Sequence, residues 1–284
     1  MAADPAHGGR LNRAWRIVAT GLSFATFGLG GLALGLLVLP WVRWRYRRDP
    51  TRRRAVARRV VQRSFATFIE LMRGLGVMTY EFHGAEKLQR PGLLVLANHP
   101  TLIDVVFLIS RIPNADCVVR SGLFRNPFTR GALSAADYIS NSGGPELVED
   151  CIRSVKAGSS LVIFPEGTRT RPGKPPELQR GAANIAVRGV IDITPVTIHC
   201  DPPTLSKGLP WYRVPLRQFH VTIHVHNDIS ITSLLEQGRG EAVQARNVTE
   251  WLKRFFFEGE ADGHTGQGDQ GVDHRVAGTG GRQG

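Results

Sequence analysis

The pattern of apolar and polar positions separates the chain into an apolar N-terminal segment and an alternating body. No residue between Arg16 and Arg43 is charged, and positions 17–39 are mostly apolar. As a helix, this stretch measures about 34 Å, enough to cross a hydrocarbon core of ~30 Å. We therefore expect a membrane anchor over residues 17–42, with its helix ending at Pro40.

Two other interpretations of this apolar segment differ in how it meets a membrane. Its glycines and Pro40 are also compatible with a helix that lies in one leaflet. A cleaved signal peptide is disfavoured, because the apolar run is long and arginines follow it. The spacing of Gly31 and Gly35 permits a close helix contact, but the motif is weak in a glycine-rich segment.

The chain carries its positive charge mainly in one segment. Of the formal net charge of +12, residues 43–63 contribute ten arginines and one aspartate. This concentration argues against a nucleic-acid-binding protein. It favours a basic juxtamembrane segment over residues 43–79 that keeps the following domain on the cytoplasmic face and attracts anionic lipid headgroups.

Apolar residues at helical spacing predict a helix over 55–72. This helix is either amphipathic at the membrane interface or packed on the core. Four arginines lie mostly off its apolar face: Arg58, Arg59, Arg63 and Arg73.

Short apolar runs alternate with helical patterns over residues 80–258. Strands are expected at 93–97, 117–120, 138–140, 161–164, 193–198 and 218–226. Helices are expected at 102–112, 146–156, 178–187 and 242–257. This alternation predicts an α/β domain with a mostly parallel sheet flanked by helices.

The remaining segments and the cysteines add little chemistry. Residues 1–16 are expected to be an N-terminal tail, and residues 259–284, with nine glycines, a disordered tail. The three cysteines are widely separated, which favours reduced thiols in a cytoplasm-facing domain. Histidines 220, 224 and 226 share one side of a strand, but no carboxylate lies at ligand spacing, so we expect no metal.

The first candidate for chemistry is His99 with Asp104. Residues 98–104 read Asn-His-Pro-Thr-Leu-Ile-Asp, directly after an apolar strand. The two side chains can meet only if His99 precedes the helix and Asp104 lies in its first turn. Thr101 to Asp104 resembles a capping box with Thr101 as N-cap. Asp104 is then either a capping residue only, or also the partner that orients His99 as a general base.

The second candidate follows a later strand, where residues 164–169 read Phe-Pro-Glu-Gly-Thr-Arg. Gly167 permits a turn with exposed backbone donors near Thr168. Arg169 offers a planar fork that suits a phosphate. Glu166 is a candidate for binding acceptor hydroxyls or for orienting Arg169. An ordinary turn with a surface ion pair is the alternative.

Together, these two motifs resemble those of the glycerolipid acyltransferases typified by 1-acylglycerol-3-phosphate acyltransferase. The resemblance covers roughly residues 80–200 and includes residues 180–182 and 194–196. It implies an α/β acyltransferase fold, with His99 as base and no covalent acyl-enzyme. It also implies an acyl-CoA or acyl-carrier-protein donor, a phosphate-binding role for Arg169, and neither metal nor cofactor.

One position departs from the family pattern and leaves the acceptor open. Asn141 or Ser140 stands where the family has an arginine for the acceptor phosphate. Arg120, Arg125 or Arg130 could replace it. Otherwise the acceptor is a lyso-aminolipid, a glycolipid or a specialised acyl product. A different hypothesis is that the protein is a membrane adaptor without catalytic activity.

Overall fold

The computed structural model describes residues 5–171, 173 and 175–258 of the chain. The predicted disordered tail at 259–284 lies outside these residues. The strands are Met78–His83 (β1), Leu94–Ala97 (β2), Ala115–Val119 (β3), Ile139–Ser140 (β4), Ser160–Ile163 (β5), Ile193–Asp201 (β6) and Phe219–Val225 (β7). The α-helices are Pro5–Ala33 (α1), Leu39–Arg45 (α2), Pro50–Gly74 (α3), Asp104–Arg111 (α4), Arg130–Ala135 (α5), Leu147–Lys156 (α6), Gly181–Gly189 (α7), Ile231–Leu234 (α8) and Glu241–Phe257 (α9).

The strands form one sheet in the order β1-β7-β6-β2-β5-β3-β4. All neighbouring strands are parallel except the β6–β7 pair, which is antiparallel. The predicted mostly parallel α/β fold is therefore confirmed. Sequence analysis missed the edge strand β1, which pairs with β7 from Met78↔Phe219 to His83↔His224.

Strand β2 shows why the centre of the sheet is apolar at every position. Its residues are all buried, but they alternate between two core clusters. Val95 and Ala97 belong to the cluster that includes α3 and α4, whereas Leu94 and Leu96 belong to the one that includes α6, α7 and α9. A parallel strand covered on both faces needs this continuous apolar run.

The N-terminal helix is longer than predicted at both ends. Residues 5–16, expected to be a tail, already belong to α1. Pro40 does not end the helix, because a π-helical turn at Leu34–Val38 precedes it and α2 continues to Arg45. The wide turn accommodates the proline, which lies in the first turn of α2 and needs no amide donor there. The segment Leu11–Arg45 is long and apolar enough to cross a membrane by length and composition.

One stripe of this helix packs against the body, and glycines allow the closest approach. The buried stripe includes Arg16, Ala19, Ser23 and Val42. A Cβ atom on Gly31 would overlap the carbonyl oxygen of Phe128. A Cβ on Gly131 of α5 would lie 2.5 Å from the Cα of Gly35. The Gly31 and Gly35 spacing therefore marks a contact within the chain.

Helix α3 packs against α4 in the core, which supports the core-packing interpretation of this basic helix. It starts earlier than predicted because the Asp49 side chain accepts a hydrogen bond from the Arg52 N–H (2.9 Å). Arg58 was placed off the apolar face, and this prediction was wrong. Its guanidinium is buried and pairs with Asp116 on β3 (2.8 Å). Further bonds to Ser159 and the Ala136 carbonyl give every nitrogen atom of the guanidinium a partner, so the buried charge is compensated.

Replacing Gly31 by alanine is expected to lower the free energy of unfolding in detergent by about 1–3 kcal/mol, because a backbone must shift to admit the methyl group. Gly30→Ala is the matched control, since no atom lies within 4 Å of a Cβ at that position. Alanine there should be neutral or stabilising by up to about 1 kcal/mol. Thermal unfolding of both variants measures the difference, and equal midpoints would show that the close contact is unimportant.

Candidate active site

His99 and Asp104 meet at the carboxyl end of β2. His99 lies in the loop after the strand, and Asp104 is the first residue of α4. The His99 Nδ1 atom is 2.8 Å from Asp104 Oδ2, and the His99 ring stacks on Phe164 with centroids 4.1 Å apart. Asp104 is fully buried, whereas 16% of the His99 side chain is exposed. The pair thus has one buried end and one end open to a ligand.

The Asp104 carboxylate also organises the loop that carries His99. Its Oδ2 accepts a hydrogen bond from the Thr101 N–H (2.7 Å), and its Oδ1 accepts one from the Thr101 hydroxyl. Thr101 is not the N-cap, because α4 begins at Asp104 with Ile103 before it; that prediction was wrong in position. The Asp104 carboxylate still holds the turn and orients the imidazole, which are the two roles that the sequence analysis considered for it.

The electrostatics of Asp104 follow from its burial and its three donors. Complete burial raises the pKa of Asp104, and the hydrogen bonds from His99 and Thr101 act in the opposite direction. The two N–H donors on Oδ2 and the Thr101 hydroxyl beside Oδ1 favour the ionised form of the carboxyl group. With Nδ1–H donating to Asp104, the Nε2 lone pair of His99 is available as a base.

Glu166 ties the second motif to the first. Its Oε1 accepts a hydrogen bond from the His99 backbone N–H (2.8 Å), and the Thr170 hydroxyl donates to both of its oxygens. The Thr170 N–H in turn donates to the His99 carbonyl (2.8 Å). Burial raises the pKa of Glu166, against these hydrogen bonds. Among the described residues Glu166 makes no bond to Arg169, so the interpretation that it orients Arg169 was wrong.

The turn at Gly167 has the expected shape but fewer open donors. Gly167 has φ +63°, a conformation that favours glycine. Its N–H donates to the Phe164 carbonyl (2.9 Å), so it is not available to a ligand. The neighbouring Thr168 N–H has no partner within the described part of the chain. Arg169 donates through Nη1 to the Leu205 carbonyl (2.8 Å), which leaves its other N–H groups for a ligand.

Sequence reasoning missed the role of Asn98. Its amide bridges to β6: Nδ2 donates to the Ile198 carbonyl (2.8 Å), and the Ile198 N–H donates to Oδ1 (2.7 Å). This pair of hydrogen bonds extends the contact of β2 with β6 and fixes the start of the His99 loop. An asparagine directly after a buried strand was the available signal.

A large apolar cavity opens beside His99. Its volume is about 700 Å³, and its apolar lining residues come from helices and strands of both core clusters. These residues include Phe24 and Phe27 of α1, Phe65 and Phe68 of α3, Val106 and Ile109 of α4, and Cys117 of β3. The cavity has the size and lining of a small-molecule site for an extended apolar group.

Positive charge gathers where His99 and the Gly167 turn reach the cavity. Arg120, Arg169 and Lys207 line it, and Arg171 lies close enough to act on Lys207. We call these four residues the cationic rim. Of the three arginines considered as replacements, Arg120 lines the cavity, whereas Arg125 and Arg130 do not. Asn141 lies beside it, and its Oδ1 accepts a hydrogen bond from the Ser121 N–H (3.0 Å).

The other polar candidates lie outside this cavity or are inert. His224 stacks on His83 of β1 with centroids 4.3 Å apart, on a polar face of the sheet. Among the described residues no group of three or more His, Cys, Asp or Glu side chains could hold a metal ion. The three cysteines are buried free thiols, and burial raises the pKa of each to about 12.

Comparison with known proteins agrees with this site. The Acyltransferase family profile matches residues 79–199. Over 170 residues, the chain is 30% identical to the 1-acyl-sn-glycerol-3-phosphate acyltransferase of Helicobacter pylori, covering 57% of this chain and 69% of that protein. Over 164 residues, it is 25% identical to the chloroplastic enzyme BAT2 of Brassica napus, a 1-acyl-sn-glycerol-3-phosphate acyltransferase, covering 54% of this chain and 46% of that protein.

The fold is also similar to a solved structure. The crystal structure of the 1-acyl-sn-glycerophosphate acyltransferase PlsC from Thermotoga maritima superposes with a TM-score of 0.62 and 17% identity, covering 84% of this chain and 96% of that one. The chain belongs to the glycerolipid acyltransferase family. It spans less than half the length of the chloroplastic relatives of Brassica napus and Arabidopsis thaliana, 46% and 38% respectively.

Removing the Glu166 carboxylate is expected to loosen the His99 loop. Glu166→Ala leaves the His99 N–H and the Thr170 hydroxyl without their partner, at a cost of about 1–3 kcal/mol in the free energy of unfolding. Glu177→Ala, at an exposed site in the following loop, should change it by less than about 0.5 kcal/mol. Denaturant unfolding measures both, and equal stabilities would remove Glu166 from the framework of the site.

Proposed function

We propose that this protein is an O-acyltransferase that moves a fatty acyl group from acyl-CoA or acyl-carrier protein to a lysophospholipid such as 1-acylglycerol-3-phosphate. The observation that carries the proposal is the His99–Asp104 pair at the mouth of an apolar cavity with a cationic rim. The general base, the apolar wall for the acyl chain and the groups that bind an anion then surround the same cavity.

His99 acts as the general base in this mechanism. Its Nε2 takes the proton of the acceptor hydroxyl while that oxygen attacks the thioester carbonyl carbon. The new C–O bond forms, the C–S bond breaks, and the leaving thiolate takes the proton back from His99. Asp104 stabilises the transient imidazolium and fixes its orientation. Base assistance of this kind contributes about 10²–10⁴ in rate, and positioning supplies much of the rest.

The cationic rim supports an acceptor with an anionic headgroup. Arg169 offers a fork of N–H donors, and the Thr168 N–H adds a backbone donor beside it. A phosphate monoester carries close to two negative charges and accepts several hydrogen bonds, which matches these groups. Neither Gly167 nor Glu166 needs to touch substrate for this role, since both shape the turn.

The apolar cavity accommodates a fatty acyl chain in this proposal. A fatty chain has no hydrogen-bonding groups, so burial against aromatic and aliphatic walls is its main source of affinity. The phenylalanines of α1 and α3 belong to that wall, which makes the N-terminal helix part of the binding site. No metal or cofactor has a role in this mechanism.

A second candidate keeps the chemistry and changes the acceptor. Asn141 is neutral where the family pattern has an arginine, so one cation of the expected set is missing at that point. A lyso-aminolipid or glycolipid acceptor would need less positive charge. The rim favours the phosphate, because Arg120 and Lys207 restore charge at the same cavity.

We also propose that the exposed face of α1 and α2 lies in the bilayer, with the body on the cytoplasmic side. Large apolar side chains remain exposed along this face: Leu11, Trp15, Val18, Leu22, Leu29, Leu36, Leu37, Val38, Trp41 and Trp44. The opposite stripe stays on the body from Arg16 to Val42, about 40 Å of helix. This packing supports a helix along the membrane surface over one that crosses it.

Replacing the base is the direct test of catalysis. Purified protein in mixed micelles receives labelled acyl donor with lysophosphatidate or a lyso-aminolipid. His99→Ala is expected to lose about 10²-fold or more of the transfer rate, because the acceptor hydroxyl keeps its proton. His199→Ala, an exposed histidine on β6, is the matched control and should retain the rate.

The preferred acceptor in this assay distinguishes the two candidate functions. Preference for lysophosphatidate supports the phosphate acceptor, whereas preference for the lyso-aminolipid replaces it with the second candidate. Unchanged turnover by His99→Ala rejects the base assignment. If the natural sequence transfers no acyl group from either acyl-CoA or acyl-carrier protein, the acyltransferase proposal is rejected and the adaptor hypothesis is favoured.

Vesicle binding tests the membrane face. Trp41→Ala with Trp44→Ala should weaken binding to neutral and anionic vesicles alike, because apolar burial is lost. Changing Arg45, Arg47 and Arg48 to glutamine should weaken binding to anionic vesicles alone, by about 100-fold at ~1 kcal/mol per arginine. The same change at Arg153, Arg239 and Arg246 on the body should have little effect. Equal losses for both arginine sets would contradict the assigned face.

A further inference from the structure

The loop that joins β6 to β7, residues 202–218, is fastened to the site at one end. The Leu205 carbonyl accepts hydrogen bonds from Arg169 Nη1 (2.8 Å) and from the Leu102 N–H (3.1 Å). Residues 204–206 are buried. This end of the loop therefore moves with the His99 loop and with Arg169.

The other end of the same loop is fastened to the N-terminal helix. Arg16 Nη2 donates to the carbonyls of Pro215 (3.1 Å) and Leu216 (2.6 Å), and only 3% of Arg16 is exposed. The Trp211 ring lies on the same helix, where a Cβ on Gly21 would be 3.2 Å from it. Arg16 Nη1 also donates to Asn12 Oδ1 (2.9 Å), so the buried guanidinium connects α1 to this end of the loop.

Lys207 lies between these two fastenings and faces the cavity. It lines the cavity together with Arg169 and Arg120. Partial desolvation and the charges of Arg171, Arg120 and Arg169 lower the pKa of Lys207. Within the described part of the chain no carboxylate lies within ion-pair distance of its ammonium. Its charge therefore adds to those of Arg120 and Arg169 at the edge of the cavity, where a bound anion would offset all three.

We propose that Lys207 selects the acceptor by binding its phosphate monoester, and that Arg16 is a positioning residue that holds the Lys207 loop. The identity of the anion as an acceptor headgroup rests on the proposed function. The assignment of Lys207 to an anion rests on the cavity and the unpaired charge.

The geometry gives a reason for the second fastening. A lysine ammonium is a point charge on a flexible stem, so its contribution depends on how well its backbone is held. If residues 208–216 were free, binding a phosphate would also have to order them, which costs affinity. Arg16 removes that cost in advance, so headgroup binding depends on the contact between Arg16 and residues 215–216 of the loop.

Equilibrium binding in detergent micelles tests Lys207 without relying on turnover. The probes are lysophosphatidate and monoacylglycerol, which differ by the phosphate. Lys207→Gln is expected to weaken lysophosphatidate binding about tenfold, the loss of one charge-assisted hydrogen bond, and to leave monoacylglycerol binding unchanged. Lys207→Arg should retain most of the affinity. Equal affinity of Lys207→Gln and the natural sequence for lysophosphatidate, or no binding by the natural sequence, overturns the inference.

Arg16 requires a readout that separates positioning from stability. Arg16→Met should weaken lysophosphatidate binding severalfold, Arg16→Lys should restore part of it, and monoacylglycerol binding should stay the same. Trp15→Phe is the matched control, because Trp15 fastens the helix to the Leu75 carbonyl (2.9 Å) rather than to the loop. If Arg16→Met does not fold, Trp211→Ala loosens the same end of the loop and is measured in its place.

A double variant decides whether Arg16 acts through Lys207. In the Lys207→Gln background, Arg16→Met should cause no further loss of lysophosphatidate affinity. Additive losses overturn the positioning role. Acyl transfer is then measured separately. If the natural sequence binds lysophosphatidate but transfers no acyl group, the proposed function is rejected and the Lys207 assignment stands. If the natural sequence transfers the acyl group and Lys207→Gln binds lysophosphatidate with unchanged affinity, only the Lys207 assignment is rejected.

Discussion

The buried carboxylate of Asp104 is the interaction on which the site depends. It accepts hydrogen bonds from the His99 ring and from both the amide and the hydroxyl of Thr101. A fully buried charge is tolerated only when its oxygens are satisfied, so the loop between β2 and α4 has little freedom to change shape. The same requirement that stabilises this loop orients the imidazole toward the cavity.

The second motif is connected to the first through backbone groups. Glu166 holds the His99 N–H, and the Thr170 N–H holds the His99 carbonyl. Because β2 and β5 are parallel neighbours, their carboxyl ends bring the two loops together without further support. The sheet fixes the separation of the motifs, and these hydrogen bonds fix their relative orientation.

Much of this arrangement could be predicted from local sequence. The continuous apolar run of β2 and the residues that follow it predicted a loop carrying His99 next to a helix carrying Asp104. The partners of Arg58 could not be predicted, because Asp116 on β3, Ala136 after α5 and Ser159 before β5 are all distant from it in sequence. Lys207 was missed for the same reason: its position depends on how a long loop packs on α1, and no local pattern encodes that contact.

The three cysteines have a practical consequence for work on this chemistry. Each thiol is buried and protonated at neutral pH, and two of them, Cys117 and Cys151, are among the residues that line the apolar cavity. Thiol reagents act on exposed thiolates, so the native fold offers them no ready target. In an assay of the proposed acyl transfer, free sulfhydryl groups that appear in solution would therefore report the donor's leaving group, without replacement of any cysteine of the protein.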